Sequence, residues 1–154
     1  MMGRIPCKEN LLRRNVIKQQ SEAMCSLCGA TMENENHLLL WCEFSTKIWN
    51  KNYAWWGFTH VMPRTYKEAH LQHAWVGRNQ KGWQVVWFAT IWAIWLARNR
   101  KTFQAKQVSI DEVFEMIQCN SYCWIKNKID GWSYAYSDWC GNPSSCKGIK
   151  FQHQ

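Results

Sequence analysis

The chain of 154 residues is long enough for one compact domain, with or without a small appendage, and too short for a polymerase or a large multidomain enzyme. Its 47% hydrophobic content, with 12 Trp, 6 Phe and 5 Tyr, can fill a core and excludes wholesale disorder. A formal net charge of +8 favours polyanionic partners. The opening MMGRIPCKEN lacks an apolar h-region, and the longest near-apolar run, Val85 to Ala97, is shorter than the roughly 18 residues of a spanning helix. These features predict an intracellular chain that is not secreted.

In chain order, Lys8 to Ile17 reads as a short amphipathic helix, with Leu11, Leu12 and Val16 inward and Arg13, Arg14 and Lys18 outward. A cysteine-rich module follows from Met24 to Cys42. Phe44, Ile48, Trp49 and Asn52 to Trp56 continue as a helix until Gly57. Thr59 to Lys81 reads as a linker punctuated by Pro63 and Gly77, with a short helix around Tyr66 to Trp75. Trp83 to Gln104 is the strongest helix, its large residues falling on nearly every side, as in a buried central helix. Ser109 and Glu112 spell a capping box, and Ile110, Val113, Phe114, Ile117, Trp124 and Ile125 repeat down one face until Gly131 stops the helix. Ser133 to Gln154, rich in Gly, Pro and Ser after its aromatics, reads as a loose tail.

Eight cysteines without a secretory signal point to reduced thiols or metal ligands rather than a disulfide framework. Cys25, Cys28, His37 and Cys42 form C-x2-C-x8-H-x4-C, the donor set that one tetrahedral zinc ion requires. Two Cys separated by two residues can face one ion from a tight turn, which Gly29 relaxes. Three thiolates and a neutral imidazole leave the zinc site at −1 with no position open for a catalytic water, so the site reads as structural. A redox CxxC would follow a strand and open a helix, and no such pattern surrounds Cys25. Cys119 and Cys123, at i, i+4 spacing, with Cys140, Cys146 and His153 form a looser candidate for a second metal site. Paired core thiols and free tail thiols are the blander reading. His60, His70 and His73 lack partners at ligand spacing and read as surface residues, and no catalytic set emerges.

The words GRIPCKENLLRRNVI, CSLCGA and ENENHLLLWCEFSTKIW resemble the zinc-binding domain that follows the reverse transcriptase in plant LINE-type (non-LTR) retrotransposons, called zf-RVT. The resemblance is firm from Gly3 to Trp49. It extends more loosely through WFATIWAIWLARNRKTF (Trp87 to Phe103), SYCWIKNK and YSDWCGNPSSC. It implies one structural Zn²⁺ held by Cys25, Cys28, His37 and Cys42. One departure is Cys7, where that family usually has Thr; a Thr would cap the helix opening at Lys8, and its loss costs about 1 kcal/mol. The chain carries no Y-x-D-D word and no ribonuclease H acidic set, so it resembles the connecting region of a retroelement protein, detached from both enzymes.

The resulting expectation is a mainly α fold: a small CCHC zinc-clipped N-terminal module followed by a Trp-rich helical bundle. Its divisions are a reverse-transcriptase zinc-binding module (1–56), a linker (57–82), a Trp-rich helical segment (83–130) and a flexible tail (131–154). Charge is uneven along it. Residues 21–46 carry Glu22, Glu33, Glu35 and Glu43 with no base, whereas residues 47–106 hold ten bases against Glu68 alone. Nucleic-acid contact is therefore expected from basic helices, through Arg13, Arg14, Lys18, Arg98, Arg100 and Lys101, with zinc as a staple. For the last three, a solvated helix C-terminus is the blander reading. Trp87, Trp92 and Trp95 read as core and Trp55, Trp56 and Trp75 as the exposed aromatics. The functional expectation is a non-catalytic module contacting RNA or an RNA/DNA intermediate. The alternative is a structural or protein-interaction scaffold, or a relic without independent function. The family's life cycle points to the nucleus, with the cytoplasm as the other compartment.

Overall fold

The computed structural model describes residues 5–59, 62–79 and 81–146, and the side chains of these apart from 73–79. Among the described residues six α-helices run in chain order: α1 (Lys8–Arg13), α2 (Glu43–Trp56), α3 (Tyr66–Asn79), α4 (Lys81–Gln104), α5 (Ile110–Lys128) and α6 (Tyr136–Gly141). The described residues form no strand, and a single antiparallel bridge joins Met24 to Met32. The mainly α expectation holds. No helix among the described residues is long and apolar enough to cross a membrane.

Helix α1 is shorter than its apolar pattern suggests. Asn15 takes a left-handed φ of 58°, and the N–H groups of Val16 and Ile17 turn back to the Leu11 carbonyl, which closes the helix after Arg13. Val16, expected inward, is thus thrown into solvent at 67% exposure. Cys7 precedes α1 without a side-chain cap, as expected; the N–H of Lys8 instead donates to Glu33 Oε1 at 3.2 Å. Helix α2 ends at Gly57, whose φ of 70° supplies the left-handed cap. The capping box of α5 forms in both directions, Glu112 N–H to Ser109 Oγ at 3.1 Å and Ser109 N–H to Glu112 Oε2 at 2.8 Å.

Zinc module and helices share one core. Leu38, Leu39 and Leu40 pack in the same cluster as Trp49 and Trp56 of α2, Trp83, Trp87 and Ile94 of α4, and Ile117 and Ile125 of α5. Polar ties cross it where an indole or amide is buried. Trp49 Nε1 donates to the Leu39 carbonyl at 2.7 Å, and Asn52 Nδ2 to Thr90 Oγ1 at 2.7 Å. The stretch expected as a linker is largely α3, whose Tyr66 and His70 rings lie 5.6 and 5.4 Å from Trp87. His70 is thus engaged by the core; His60, His73 and Trp75 lie outside the residues whose side chains are described.

Two other expectations are corrected. Helix α4 is not buried all round. Its Trp83, Val86, Trp87, Thr90, Ile94 and Arg98 form a buried stripe, while Phe88 and Trp92 stand 46% and 48% exposed. The segment after Gly131 is not a loose tail as far as Cys146. Trp139 of α6 is fully buried, donates from Nε1 to Ser121 Oγ at 3.1 Å, and packs edge-on against Trp55 and Trp56. Trp56, expected exposed, is buried there; half-buried Trp55 donates to the Cys140 carbonyl at 2.9 Å. Aromatic bulk outweighed the turn-rich composition. Residues 147–154 lie outside the described residues.

Gly82 sits in the first turn of α4, where a Cβ would come within 3.0 Å of Trp56 and 3.1 Å of Trp139, so two indoles occupy the space a side chain would need. Truncating the last helix's anchor, Trp139→Ala, is expected to lower unfolding stability by about 3–5 kcal/mol. A urea titration checks it, since a free tail would show no loss.

Candidate metal centre

The four donors approach each other through two local devices. The first is the turn from Cys25 to Gly29, closed by Gly29 N–H to the Cys25 carbonyl at 2.8 Å, with Gly29 at φ 67°. Cys25 N–H donates to the Thr31 carbonyl at 2.8 Å, and Glu33 N–H to that of Ala23 at 2.8 Å, so residues 23–33 fold back as a loop. Within it the N–H groups of Leu27 and Cys28 are directed at Cys25 Sγ, and Ala30 N–H lies 3.5 Å from Cys28 Sγ.

The second device is one π-helical turn, His37–Trp41, ended by Cys42 N–H donating to the His37 carbonyl at 2.6 Å. In an α-helix, residues five apart point about 140° away from each other round the axis. A ring closed between residues i and i+5 stacks them instead, which puts His37 and Cys42 on one side. Asn34 Oδ1 accepts the His37 N–H at 2.8 Å and fixes the start of this turn.

The donor atoms of Cys25, Cys28, His37 and Cys42 all lie within 4.8 Å of one another. Cys25 and Cys42 Sγ are 3.9 Å apart, and Cys28 Sγ is 3.2 Å from His37 Nε2. Tetrahedral zinc with bonds near 2.3 Å sets donors about 3.8 Å apart, so the cluster fits one zinc ion with small adjustment. His37 Nε2 lies 3.2 Å from Cys28 Sγ, and Thr31 Oγ1 stands beside the ring at 3.2 Å from Nδ1 and 3.3 Å from Nε2.

The thiols are electrostatically unequal. The neighbouring Cys42 thiol lowers Cys25 to about 5, against the opposing effect of burial and with help from the Cys28 and Leu27 N–H groups. The same contact, together with burial, raises Cys42 well above the ordinary thiol range. Two bare thiolates at 3.9 Å repel, so ionising one sulfur opposes ionising the other. Zinc supplies the countercharge that lets both ionise.

Glu33, counted in the sequence among the acids of this module, lies at its centre. It is fully buried, and its Oε1 accepts from Arg98 Nη2 at 2.7 Å and Nε at 3.0 Å, while Oε2 accepts the Ser26 N–H at 3.2 Å. This corrects the expectation for Arg98. At 3% exposure and committed to Glu33, it cannot meet a phosphate. The signal was in the sequence: Arg98 falls four residues after Ile94 on the Trp83–Trp87–Ile94 stripe, and a lone charge on an apolar stripe demands a partner. Lys101 is half-buried, with Nζ donating to the Leu27 carbonyl at 3.0 Å. Arg13, Arg14 and Lys18 are exposed and Arg100 half-exposed. Trp41, the one aromatic between the ligands, is exposed and donates to the Arg64 carbonyl at 2.9 Å.

Cys119 and Cys123 are exposed on α5, Cys140 is half-buried on α6 and Cys146 is buried. Among the described residues no three of these thiols form a metal-holding cluster, and His153 lies outside them.

The fold and site define a helical protein clipped near its N-terminus by a Cys3His zinc centre. The family model described as zinc-binding in reverse transcriptase matches residues 1–49, and that stretch with its Cys3His cluster fits a reverse-transcriptase zinc-binding domain. No curated protein and no solved structure matches the chain.

Native mass spectrometry is expected to find one zinc per chain, and Cys28→Ser to release it and lower helicity by circular dichroism. The contact with Cys25 and burial push the Cys42 thiol up, so zinc binding is expected to release protons from the donor set. Affinity is expected to rise about tenfold per pH unit for each proton released, as counted by calorimetry in buffers of different ionisation enthalpy.

Proposed function

We propose that the chain is a non-catalytic, retroelement-derived nucleic-acid-binding module in which zinc is a staple and basic helices make the contact. The observation that carries this reading is the set of exposed cations Arg13, Arg14 and Lys18, at and just beyond the end of α1, on a chain of net charge +8. Arg100 on α4 adds to them. The zinc module itself carries four acids and no base between residues 21 and 46, so it is poorly suited to gripping a polyanion alone. RNA or an RNA/DNA intermediate is the expected ligand, and a plant LINE-type element the expected source.

Affinity for generic single-stranded RNA is expected to fall steeply with salt, by about 0.7 logarithmic units per phosphate contact for each decade of salt. Arg13→Ala and Arg14→Ala should each reduce that slope by about one contact while leaving zinc content intact. Flat or absent binding at low salt would refute the proposal.

A second reading, a protein-interaction scaffold, draws on the exposed Phe88 and Trp92, which border an apolar hollow of about 630 Å³ with Trp95, Trp124 and Leu39. Light scattering separates them: a monomer that binds RNA disfavours the scaffold, whereas a self-associating chain indifferent to RNA favours it.

A further inference from the structure

The zinc turn is held from behind by the last turns of α4. Of the two residues between Cys25 and Cys28, Ser26 donates its N–H to Glu33 Oε2 at 3.2 Å, and Glu33 is itself gripped by Arg98. Ser26 Oγ also accepts from Thr102 Oγ1 at 2.7 Å, and the Leu27 carbonyl accepts from Lys101 Nζ at 3.0 Å. Residues 98, 101 and 102 thus fix a turn more than 70 positions upstream of Thr102, and all three lie beyond the stretch that matches the zinc-binding family.

That turn sets more than the separation of two sulfurs. Its N–H groups at Leu27 and Cys28 face Cys25 Sγ, so its orientation also aims the backbone donors that meet that sulfur. Hydrogen-bonding groups behind metal ligands commonly carry 10–100-fold of metal affinity. We infer that Arg98, Lys101 and Thr102 are positioning residues for the metal, and that α4 presets the Cys25–Cys28 turn and thereby sets zinc affinity. By reciprocity, a bound ion holds the C-terminal turns of α4 in place. The inference rests on the four donors being a zinc site, which the unaltered chain tests separately.

The measurement is the zinc dissociation constant of the full chain by chelator competition, with cobalt(II) substitution reporting the donor set through its visible spectrum. Lys101→Met and Thr102→Val combined remove two contacts without stranding a buried charge. They are expected to weaken zinc binding by about tenfold with the cobalt spectrum unchanged in form, and Arg98→Met by about a hundredfold. Ile117→Val, in the α5 core away from the turn, is the control for lost stability and should keep the constant within about twofold.

A double variant that binds zinc as tightly as the unaltered chain, or loses no more than the control at matched loss of stability, overturns the inference. Where Arg98→Met fails to fold, the double variant decides. An unaltered chain that binds no zinc overturns the metal assignment and the inference with it.

Discussion

A carboxylate and a guanidinium buried together, Glu33 and Arg98, are the constraint around which this molecule is organised. Taking two ions out of water is costly, and the attraction between them offsets that cost only when geometry is good and the remaining lone pairs are met. Here they are met: Arg98 donates twice to Oε1, and the N–H groups of Lys8 and Ser26 complete the carboxylate. Three pieces of chain converge on this one side chain of the loop, namely the start of α1, the zinc turn and the last turns of α4. Arg98 also lies 5.0 Å from the Trp95 ring, which covers the guanidinium with an aromatic face. Removing either partner would strand a charge in the core, so the pair fixes which arrangement of helices is tolerable.

Seen this way, zinc and ion pair are two clips on the same loop. The metal gathers Cys25, Cys28, His37 and Cys42, and Glu33 sits in the eight residues between the second and third ligands. The π-turn that unites His37 with Cys42 also delivers Leu38, Leu39 and Leu40 into the core, and Cys42 then opens α2. Metal site and hydrophobic core are therefore built by the same residues, and a boundary drawn after α2 would cut through shared packing. The acidity of the module looks different too: one of its four carboxylates is neutralised from α4, while Arg13 and Arg14 at the end of α1, and Lys47 and Lys51 on α2, stay exposed.

Sequence signals hold in the structure wherever the physics is local. The zinc spacing, the Ser109 capping box and Gly57 as a helix stop each depend on a few neighbouring residues, and each stands as expected. Structure and expectation part where one signal is overruled by another. Apolar periodicity carried α1 on to Ile17, but Asn15 in the left-handed region ended it at Arg13. Turn-rich composition suggested a loose end, but Trp139 found a slot between Trp55 and Trp56 that Gly82 leaves open. Trp92 was expected inside by the same pattern that correctly placed Trp87, since periodicity does not count how many faces of a helix have neighbours.

What the sequence determined by itself is the identity of the four metal donors, the run of helices and the sign of the charge available to a partner. Those follow from spacing, capping and composition, which act over a turn or two of chain. What only the tertiary structure decided is which charges are free. Arg98 and Arg100 are two residues apart and chemically alike, yet one is sealed against Glu33 and the other reaches solvent. The difference arises because a helix turns about 100° per residue, so that positions two apart face different neighbours, and those neighbours exist only once residues 65 positions apart have met.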